Sequence, residues 1–345
     1  MVASGLGVLV GFLPPYGVAP GPSALAAQAV GQWLRGERDP YGALHALWLL
    51  PAWAIGMVVG DANIALIALR VVLLAGTGLF IERTASRMLS SGRDGLYAAA
   101  MVLCNVTVLG LMHAMGPHTM TLFVGAALLA LFTSVDERWH RFGALIFGLS
   151  LSIGFWPWIL LLGILTVGLN LHHAVYTPRA RATRVLLGYI TLGAASYLLL
   201  EIFYFGAGGL FARLLPETAA PRGINLILQG VLIAVVALNL LLVSPIRAKK
   251  GEVAKDFQNA FVILGIFCAM GLLGSEEVLH AALLLVPSAV IVALDKVRTP
   301  GRFAAIYLAL NLGLYVFLPA SSYHVESALA GRRQTAPPET VAYNY

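Results

Sequence analysis

Charged residues are scarce in this chain of 345 residues: they make up 11% of the sequence, whereas 59% of the residues are hydrophobic. A soluble domain of this length carries roughly a quarter charged residues. Apolar runs of about 18 residues or more recur along most of the chain, and each is long enough to cross a bilayer core of roughly 30 Å. The composition therefore predicts a polytopic membrane protein.

Cysteine is almost absent, and the two present, Cys104 and Cys268, both lie inside apolar runs. This pattern predicts two buried thiols and argues against a disulfide-stabilised fold. The first apolar run begins at Met1 without a basic segment before it, and no small-residue cleavage site follows, so no cleaved signal peptide is expected.

Several motifs are also missing from the sequence. It has no P-loop, no dinucleotide-binding glycine motif, no haem or zinc spacing and no serine-hydrolase elbow. The net charge of +6 does not indicate nucleic acid as a partner, because most basic residues fall in short loops between apolar runs.

The apolar runs predict an all-α bundle of about eleven membrane helices. They lie near residues 2–19, 63–82, 95–114, 118–134, 142–156, 157–175, 185–205, 223–245, 257–274, 277–294 and 303–320. Residues 1–320 are thus expected to form one transmembrane domain. Residues 321–345 are polar and contain proline, which predicts a tail that is flexible or bound to a partner.

Two further segments, 22–36 and 44–60, lie between the first and second predicted spans. In the first, apolar residues from Leu25 to Leu34 follow a helical spacing. Trp33, Trp48 and Trp53 suit a position at the membrane interface. We therefore expect two interfacial helices, with an ordinary outer-loop helix as the alternative for the first.

Basic residues indicate the orientation of the chain. If 44–60 does not cross and the N-terminus is cytoplasmic, fifteen of the 22 basic residues fall in the loops of one face. The positive-inside rule favours this arrangement, with the tail on the non-cytoplasmic side. A crossing by 44–60 would move the basic loops outside, so this segment is expected to lie on or dip into the outer leaflet of a bacterial inner membrane.

The order of one span, two interfacial helices and a long bundle resembles the GT-C glycosyltransferase fold, in particular its aminoarabinose-transferase and protein O-mannosyltransferase branch. The runs that carry the resemblance are "DPYGALHALWLLPAWAIGMVVGDANIALIALR", "GRDGLYAAAMVLCNVTVLGLMHAMGPHTM", "RFGALIFGLSLSIGFWPWILLLGIL" and "HAALLLVPSAVIVAL". The resemblance implies transfer of a sugar from a polyprenyl-phosphate carrier on the non-cytoplasmic face.

Three positions depart from the pattern of that family. The first interfacial helix begins Gly21-Pro22-Ser23-Ala24, where the family has an acidic residue, and a short outer loop reads Gly116-Pro117-His118, where the family often has another. The late arginine that contacts carrier phosphate is replaced by His280. These departures favour the alternative of a catalytically silent relative that serves as a scaffold or lipid-binding subunit of a membrane complex. A transporter or flippase is the third hypothesis.

Arg70 is the main candidate for binding a lipid phosphate, because a charged side chain so deep in a span is costly unless it faces a cavity or partner. His118 and His280 are further candidates near the same face. Together with Glu276 and Glu277 they are also the residues considered for a divalent cation, although no local spacing supports a metal and no metal ligand is assigned.

Asp39, Asp61 and Glu201 are the candidates for the catalytic acid or base. Each also has a structural explanation: a turn at Asp39-Pro40, an N-cap at Asp61 and an ion pair for Glu201. Membrane lipids, a polyprenyl-phosphate sugar and other membrane subunits are the expected partners.

Overall fold

The structure of the chain is a computed structural model. It describes residues 2–11, 22–37, 49–89, 91–105, 108–109, 117–134, 136–150, 153, 185, 188–200, 202, 283–284, 286–287, 289–291, 293–295 and 297–317. Within these ranges every regular element is helical and no strand occurs, which confirms the all-α prediction.

The longer helices are numbered here in chain order. They are α1 (Val2–Gly11), α2 (Pro22–Leu34), α3 (Leu50–Val59), α4 (Ala62–Met88), α5 (Gly92–Leu103), α6 (Pro117–Phe132), α7 (Glu137–Leu149), α8 (Gly188–Leu200) and α9 (Pro300–Phe317). One helix of the described ranges, α4, is long and apolar enough to cross a membrane, and α3, α6 and α8 contain shorter apolar stretches.

α1 and α4 run antiparallel in close contact. Gly78 packs against the carbonyl oxygen of Ala3, and Gly7 packs against that of Leu74. Ser4 Oγ donates a hydrogen bond of 3.3 Å to the carbonyl oxygen of Ala75. Because positions rise along α1 as they fall along α4, the last residues of α1 lie level with Arg70.

Three other helices are oriented by their contacts with α4 or α5. α5 is antiparallel to α4, since Gly95 packs against the carbonyl oxygen of Glu82 whereas Leu103 lies beside Gly78. α6 is parallel to α4: Phe123 contacts Gly76 and Phe80, and further along Arg87 Nη1 donates a hydrogen bond of 2.8 Å to the carbonyl oxygen of Ala130.

α9 runs parallel to α5. Gly301 lies against Tyr97 near the start of both helices, and the Asn105 side chain, just beyond α5, donates a hydrogen bond to the hydroxyl of Tyr307. Side chains of α1, α4, α5, α6 and α9 share one apolar core with the helical residues between 283 and 294.

These directions give the bundle two distinct ends. One, called here the basic end, contains the last turns of α4 and the first turns of α5, α7 and α9. It carries seven exposed arginines: Arg83, Arg87, Arg93, Arg138, Arg141, Arg298 and Arg302. The other, called here the Arg70 end, contains the start of α4 and of α6, and Arg35 and Arg70 are the arginines described there.

Both α2 and α3 pack at the Arg70 end. Gly31 of α2 lies near Ala62, and Gly56 of α3 lies between Leu34 and Ala65. α3 has ten residues, which span about 15 Å, or half the thickness of a bilayer core. It begins with proline in its first turn and ends at Gly60, whose left-handed φ of 78° suits glycine.

The chain therefore leaves α1 and enters α4 at the same end of the bundle. That 44–60 does not cross a membrane stays a prediction, and residues 44–48 lie outside the described ranges. α2 occupies most of the segment 22–36, and its position at a membrane interface stays a prediction.

Two predicted spans differ from the structure. The span predicted at 95–114 is interrupted, because α5 ends at Leu103 and the chain turns at Cys104. Asn105 then starts a new helical turn, in which its carbonyl oxygen accepts from Leu109 N–H at 2.8 Å. The span predicted at 142–156 instead begins at Glu137, capped by Asp136, and its helix ends at Leu149.

The predicted spans 157–175, 223–245 and 257–274 and the predicted tail 321–345 lie outside the described residues, and 277–294 is described in part. The total of about eleven spans thus stays a prediction.

Candidate functional site

Arg70 lies about 12 Å along α4 from Ala62 by helical rise. Arg70 is 7% exposed to solvent. It shares one face of the helix with Thr77 and Ile81, seven and eleven positions later, which are 0% and 1% exposed. Val72, on the opposite face, is 59% exposed. The guanidinium therefore points into the bundle, between the side of α4 that contacts α1 and the side that contacts α6.

Nothing described in the structure neutralises this guanidinium. Arg70 Nε is buried without a hydrogen-bond partner, and no carboxylate of the described residues forms an ion pair with Arg70. A buried cation without a partner costs several kcal/mol, so it is retained where a ligand or another group completes it. This is the strongest indication of a binding site in the described ranges.

The first turn of α6 lies beside α4, further along that helix than Arg70. His118 and Thr119, in its first turn, are 3% and 1% exposed. Thr119 precedes Phe123 by one helical turn, and Phe123 contacts Gly76 and Phe80. Because α4 and α6 are parallel, the first turn of α6 lies beside the part of α4 between Arg70 and Gly76.

Asp61, a candidate acid, caps α4. Its Oδ1 accepts the N–H of Asn63 at 2.7 Å and that of Ile64 at 2.9 Å, and the side chain is exposed. These bonds satisfy two of the donors that an α-helix leaves unpaired at its start. The geometry thus gives Asp61 a structural role, and it places the carboxylate more than two turns of α4 away from Arg70.

Just after the C-terminal end of α2, Arg35 and Glu37 form an exposed ion pair. Arg35 donates from Nε at 2.9 Å and from Nη2 at 3.1 Å to the two carboxylate oxygens. These hydrogen bonds hold the pKa of Glu37 below its ordinary value and raise the pKa of Arg35. Glu37 is the first acidic residue of the sequence, and both of its carboxylate oxygens accept hydrogen bonds from Arg35.

Five of the predicted site residues cannot be placed against Arg70. Asp39, Glu201 and His280, and the pair Glu276 and Glu277, lie outside the described ranges. Among the residues that are described, no three His, Cys, Asp or Glu side chains lie close enough together to hold a metal ion. A divalent cation at His118 and His280 therefore stays a prediction.

Two polar features of this half of the bundle were missed by the sequence analysis. Thr119 Oγ1 is buried without a hydrogen-bond partner among the described residues. Asn105 sits at the interruption that follows α5; its side-chain oxygen accepts from Val108 N–H at 3.4 Å while its amide donates to Tyr307. The first could have been suspected from a threonine two positions after a helix-starting proline, whereas no local signal marks the second.

Comparison of the chain with protein families, with curated proteins and with solved structures found no match to any of them. The resemblance to the GT-C fold accordingly remains a prediction from the residue patterns quoted above.

Proposed function

We propose that this chain is a polytopic protein of the bacterial inner membrane that binds a polyprenyl-phosphate-linked sugar at its Arg70 end and transfers the sugar there. The observation that carries the proposal is the buried Arg70, whose Nε has no partner among the described residues. A guanidinium presents donors in a planar fork that suits phosphate oxygens, and in a dry site its attraction for an anion is strong.

Two further observations support a membrane location. The seven exposed arginines of the basic end fit the expected cytoplasmic face, whereas Arg35 and Arg70 are the only arginines that the described residues place at the Arg70 end. Large apolar side chains are exposed on the outer faces of α3, α4 and α9, including Val58 at 88%, Val72 at 59% and Ile306 at 67%. Lipid is a favourable environment for such surfaces, whereas water is not.

A silent lipid-binding subunit is the second candidate function. It is favoured by the structural roles of the acidic residues described at the Arg70 end. Asp61 caps α4, Glu37 is paired with Arg35, and the first turn of α2 carries no acidic residue. Sugar transfer needs a base for the acceptor hydroxyl, and Asp39 and Glu201 are the remaining candidates.

A transporter or flippase is the third candidate. The interruption at Cys104 and Asn105 is the observation that bears on it, because transporters bind their substrates at broken helices near the middle of the membrane. In this chain the Asn105 side chain, at the break, donates a hydrogen bond to the hydroxyl of Tyr307 in α9.

The lipid content of the purified protein tests the proposal. Wild-type protein, Arg70→Gln, Arg70→Lys and the control Arg83→Gln, an exposed arginine of the same helix, are extracted in native-lipid particles and analysed by mass spectrometry. Wild type and Arg83→Gln are expected to retain polyprenyl-phosphate lipids, Arg70→Lys to retain less, and Arg70→Gln to lose them. Equal retention by Arg70→Gln would refute the site.

Turnover then separates the candidates. Incubation of the wild-type particles with a hydroxyl acceptor should convert bound polyprenyl-phosphate sugar to polyprenyl phosphate if the protein is a transferase. Retention of unconverted lipid, together with fixed-ratio co-purification of other membrane proteins, would establish the silent subunit instead.

A further inference from the structure

The first turns of α5 and α9 lie side by side at the basic end of the bundle. A Cβ atom at Gly301 would come within 3.2 Å of the hydroxyl oxygen of Tyr97, so the two helices are in contact at this point. Arg93 lies one helical turn before Tyr97, and Arg298 lies three residues before Gly301. Because the two helices are parallel, Arg93 and Arg298 lie at the same level on neighbouring elements.

These two arginines and Arg302, in the first turn of α9, form a charged surface that is called here the α5–α9 surface. All three are exposed, and none of them forms an ion pair with a carboxylate of the described residues. The acidic residues described beside them are Asp94, which is 8% exposed, and Asp295, which is exposed. The first turn of α9 carries no acidic residue. Three exposed cations are thus accompanied by one exposed carboxylate in the described part of this surface.

The exposed face of α9 becomes aliphatic directly after Arg302. Ile306 and Leu310, four and eight positions later, lie on the same side of the helix and are 67% and 58% exposed. From Arg302 to Leu310 the helix rises about 12 Å, which is close to the hydrocarbon depth of one leaflet, about 15 Å. α9 therefore presents cations at its start and an aliphatic stripe along the next two turns, in the order in which a phospholipid presents its headgroup and its acyl chains.

We infer that the α5–α9 surface binds an anionic phospholipid, with the phosphate at the three arginines and an acyl chain along Ile306 and Leu310. Guanidinium groups suit phosphate oxygens, and the Tyr97 ring suits the level of the headgroups. A zwitterionic lipid carries the same phosphate together with an ammonium group, which the arginines repel. The surface therefore selects a headgroup with net negative charge.

This inference rests on the membrane location within the proposed function, but it does not depend on sugar transfer. Arg70 lies at the opposite end of α4 from the turns that pack against α5 near Arg93, so the two lipid sites are separate. A variant of the α5–α9 surface should accordingly keep the polyprenyl-phosphate lipids that Arg70→Gln is expected to lose.

Binding of defined lipids to the full-length protein tests the inference. Protein freed of lipid in a neutral detergent is titrated with phosphatidylglycerol, with phosphatidylcholine of the same acyl chains, and with glycerophosphoglycerol, which has the first headgroup without the chains. Bound ligand is counted by mass spectrometry of the intact complex. The variants are Arg302→Gln and Arg302→Lys, and Arg138→Gln is the matched control. Arg138 is an exposed arginine of the same end, in the first turn of α7 and outside the α5–α9 surface.

Wild type is expected to bind phosphatidylglycerol more tightly than phosphatidylcholine. Arg302→Gln should weaken phosphatidylglycerol binding by about fivefold, the usual worth of one basic residue near an anionic lipid surface. Its affinity for phosphatidylcholine should change by no more than about twofold. Arg302→Lys, which keeps the charge, and Arg138→Gln should each stay within about twofold of wild type for both lipids.

Four results would overturn the inference. Equal binding of the two lipids by wild type would remove the selectivity. An equal loss in Arg302→Gln and Arg138→Gln would mean that the attraction is spread over the whole basic end. Binding of glycerophosphoglycerol as tight as that of phosphatidylglycerol would show that the aliphatic stripe takes no part. An acidic protein that co-purifies with wild type and is lost in Arg302→Gln, without any lipid preference, would assign the surface to a protein partner.

The proposed function fails on a different observation. If the α5–α9 surface shows no lipid preference while Arg70→Gln loses polyprenyl-phosphate lipids, the inference is wrong and the Arg70 site stands. If phosphatidylglycerol binding depends on Arg302 while Arg70→Gln retains polyprenyl-phosphate lipids, the Arg70 site is refuted and the α5–α9 surface stands.

Discussion

Gly78 of α4 lies directly against the main-chain carbonyl oxygen of Ala3 in α1, with no side chain between the two helices. A Cβ atom at position 78 would collide with that oxygen, which belongs to the backbone and cannot rotate away. The contact sets the antiparallel pairing of α1 and α4, and this pairing places the chain on the same end of the bundle before α2 and after α3.

Replacement of Gly78 by alanine should therefore destabilise the protein by about 1–3 kcal/mol, the usual cost of overpacking a tight contact. The matched control is Gly5→Ala in α1, where nothing lies within 4 Å of the added methyl group. Because alanine favours helices, Gly5→Ala should leave stability unchanged or raise it by up to about 1 kcal/mol. Thermal unfolding in detergent measures both, and equal effects of the two substitutions would show that α1 and α4 are not in close contact.

Substitutions of Asp61 can distinguish a helix-capping role of this residue from a catalytic one. Asparagine caps a helix about as well as aspartate, but it cannot act as a base. Asp61→Ala should lower stability by about 0.5–2 kcal/mol, whereas Asp61→Asn should keep both stability and lipid-phosphate binding. Thermal unfolding and the lipid analysis of each variant check this. A stable Asp61→Asn protein that binds the carrier lipid but has lost sugar transfer would instead assign Asp61 to catalysis.

The Arg35–Glu37 pair predicts a pH dependence. Since hydrogen bonds from Arg35 lower the pKa of Glu37 in the folded state, the pair stabilises the protein above the ordinary pKa of a glutamate, about 4.3. That stabilisation is lost as the pH falls through the lowered pKa. The stability difference between wild type and Arg35→Gln should thus be constant from about pH 8 to pH 5 and shrink below about pH 4. Both side chains are exposed, so the difference should be small.

Unfolding midpoints of wild type, Arg35→Gln and Glu37→Gln across this pH range measure the effect. Glu37→Gln serves as the control, because it removes the titrating group, and its difference from wild type should vanish in acid, where Glu37 is protonated. A difference between wild type and Arg35→Gln that persists unchanged at about pH 3 would contradict the pairing.

Much of the helix order could be predicted from the sequence, because long apolar runs and their breaks are local signals. The N-cap at Asp61 was readable for the same reason: an aspartate preceded by glycine and followed by an apolar run favours a helix start. The position of Arg70 inside the bundle followed from the cost of leaving a cation in hydrocarbon.

The interruption after α5 could not be predicted in this way. Neither proline nor glycine stands at Cys104 or Asn105, and the partner of the Asn105 amide is Tyr307, 202 residues away in the sequence. The burial of the Thr119 side chain is likewise a tertiary property, since it depends on where α6 begins and on the packing of its first turn.

The proposed site requires that α2 and α3 stay at one membrane face, so that Arg70 lies near the outer surface. Single cysteines at Glu37 and Ser91, two exposed positions on either side of α3 and α4, test it in a background with Cys104 and Cys268 replaced by serine. Intact cells are treated with a membrane-impermeant maleimide before and after permeabilisation. Glu37→Cys should be labelled from outside, and Ser91→Cys only after permeabilisation. Labelling of both positions from the same side would mean that α3 crosses the bilayer, and the proposed site would not exist.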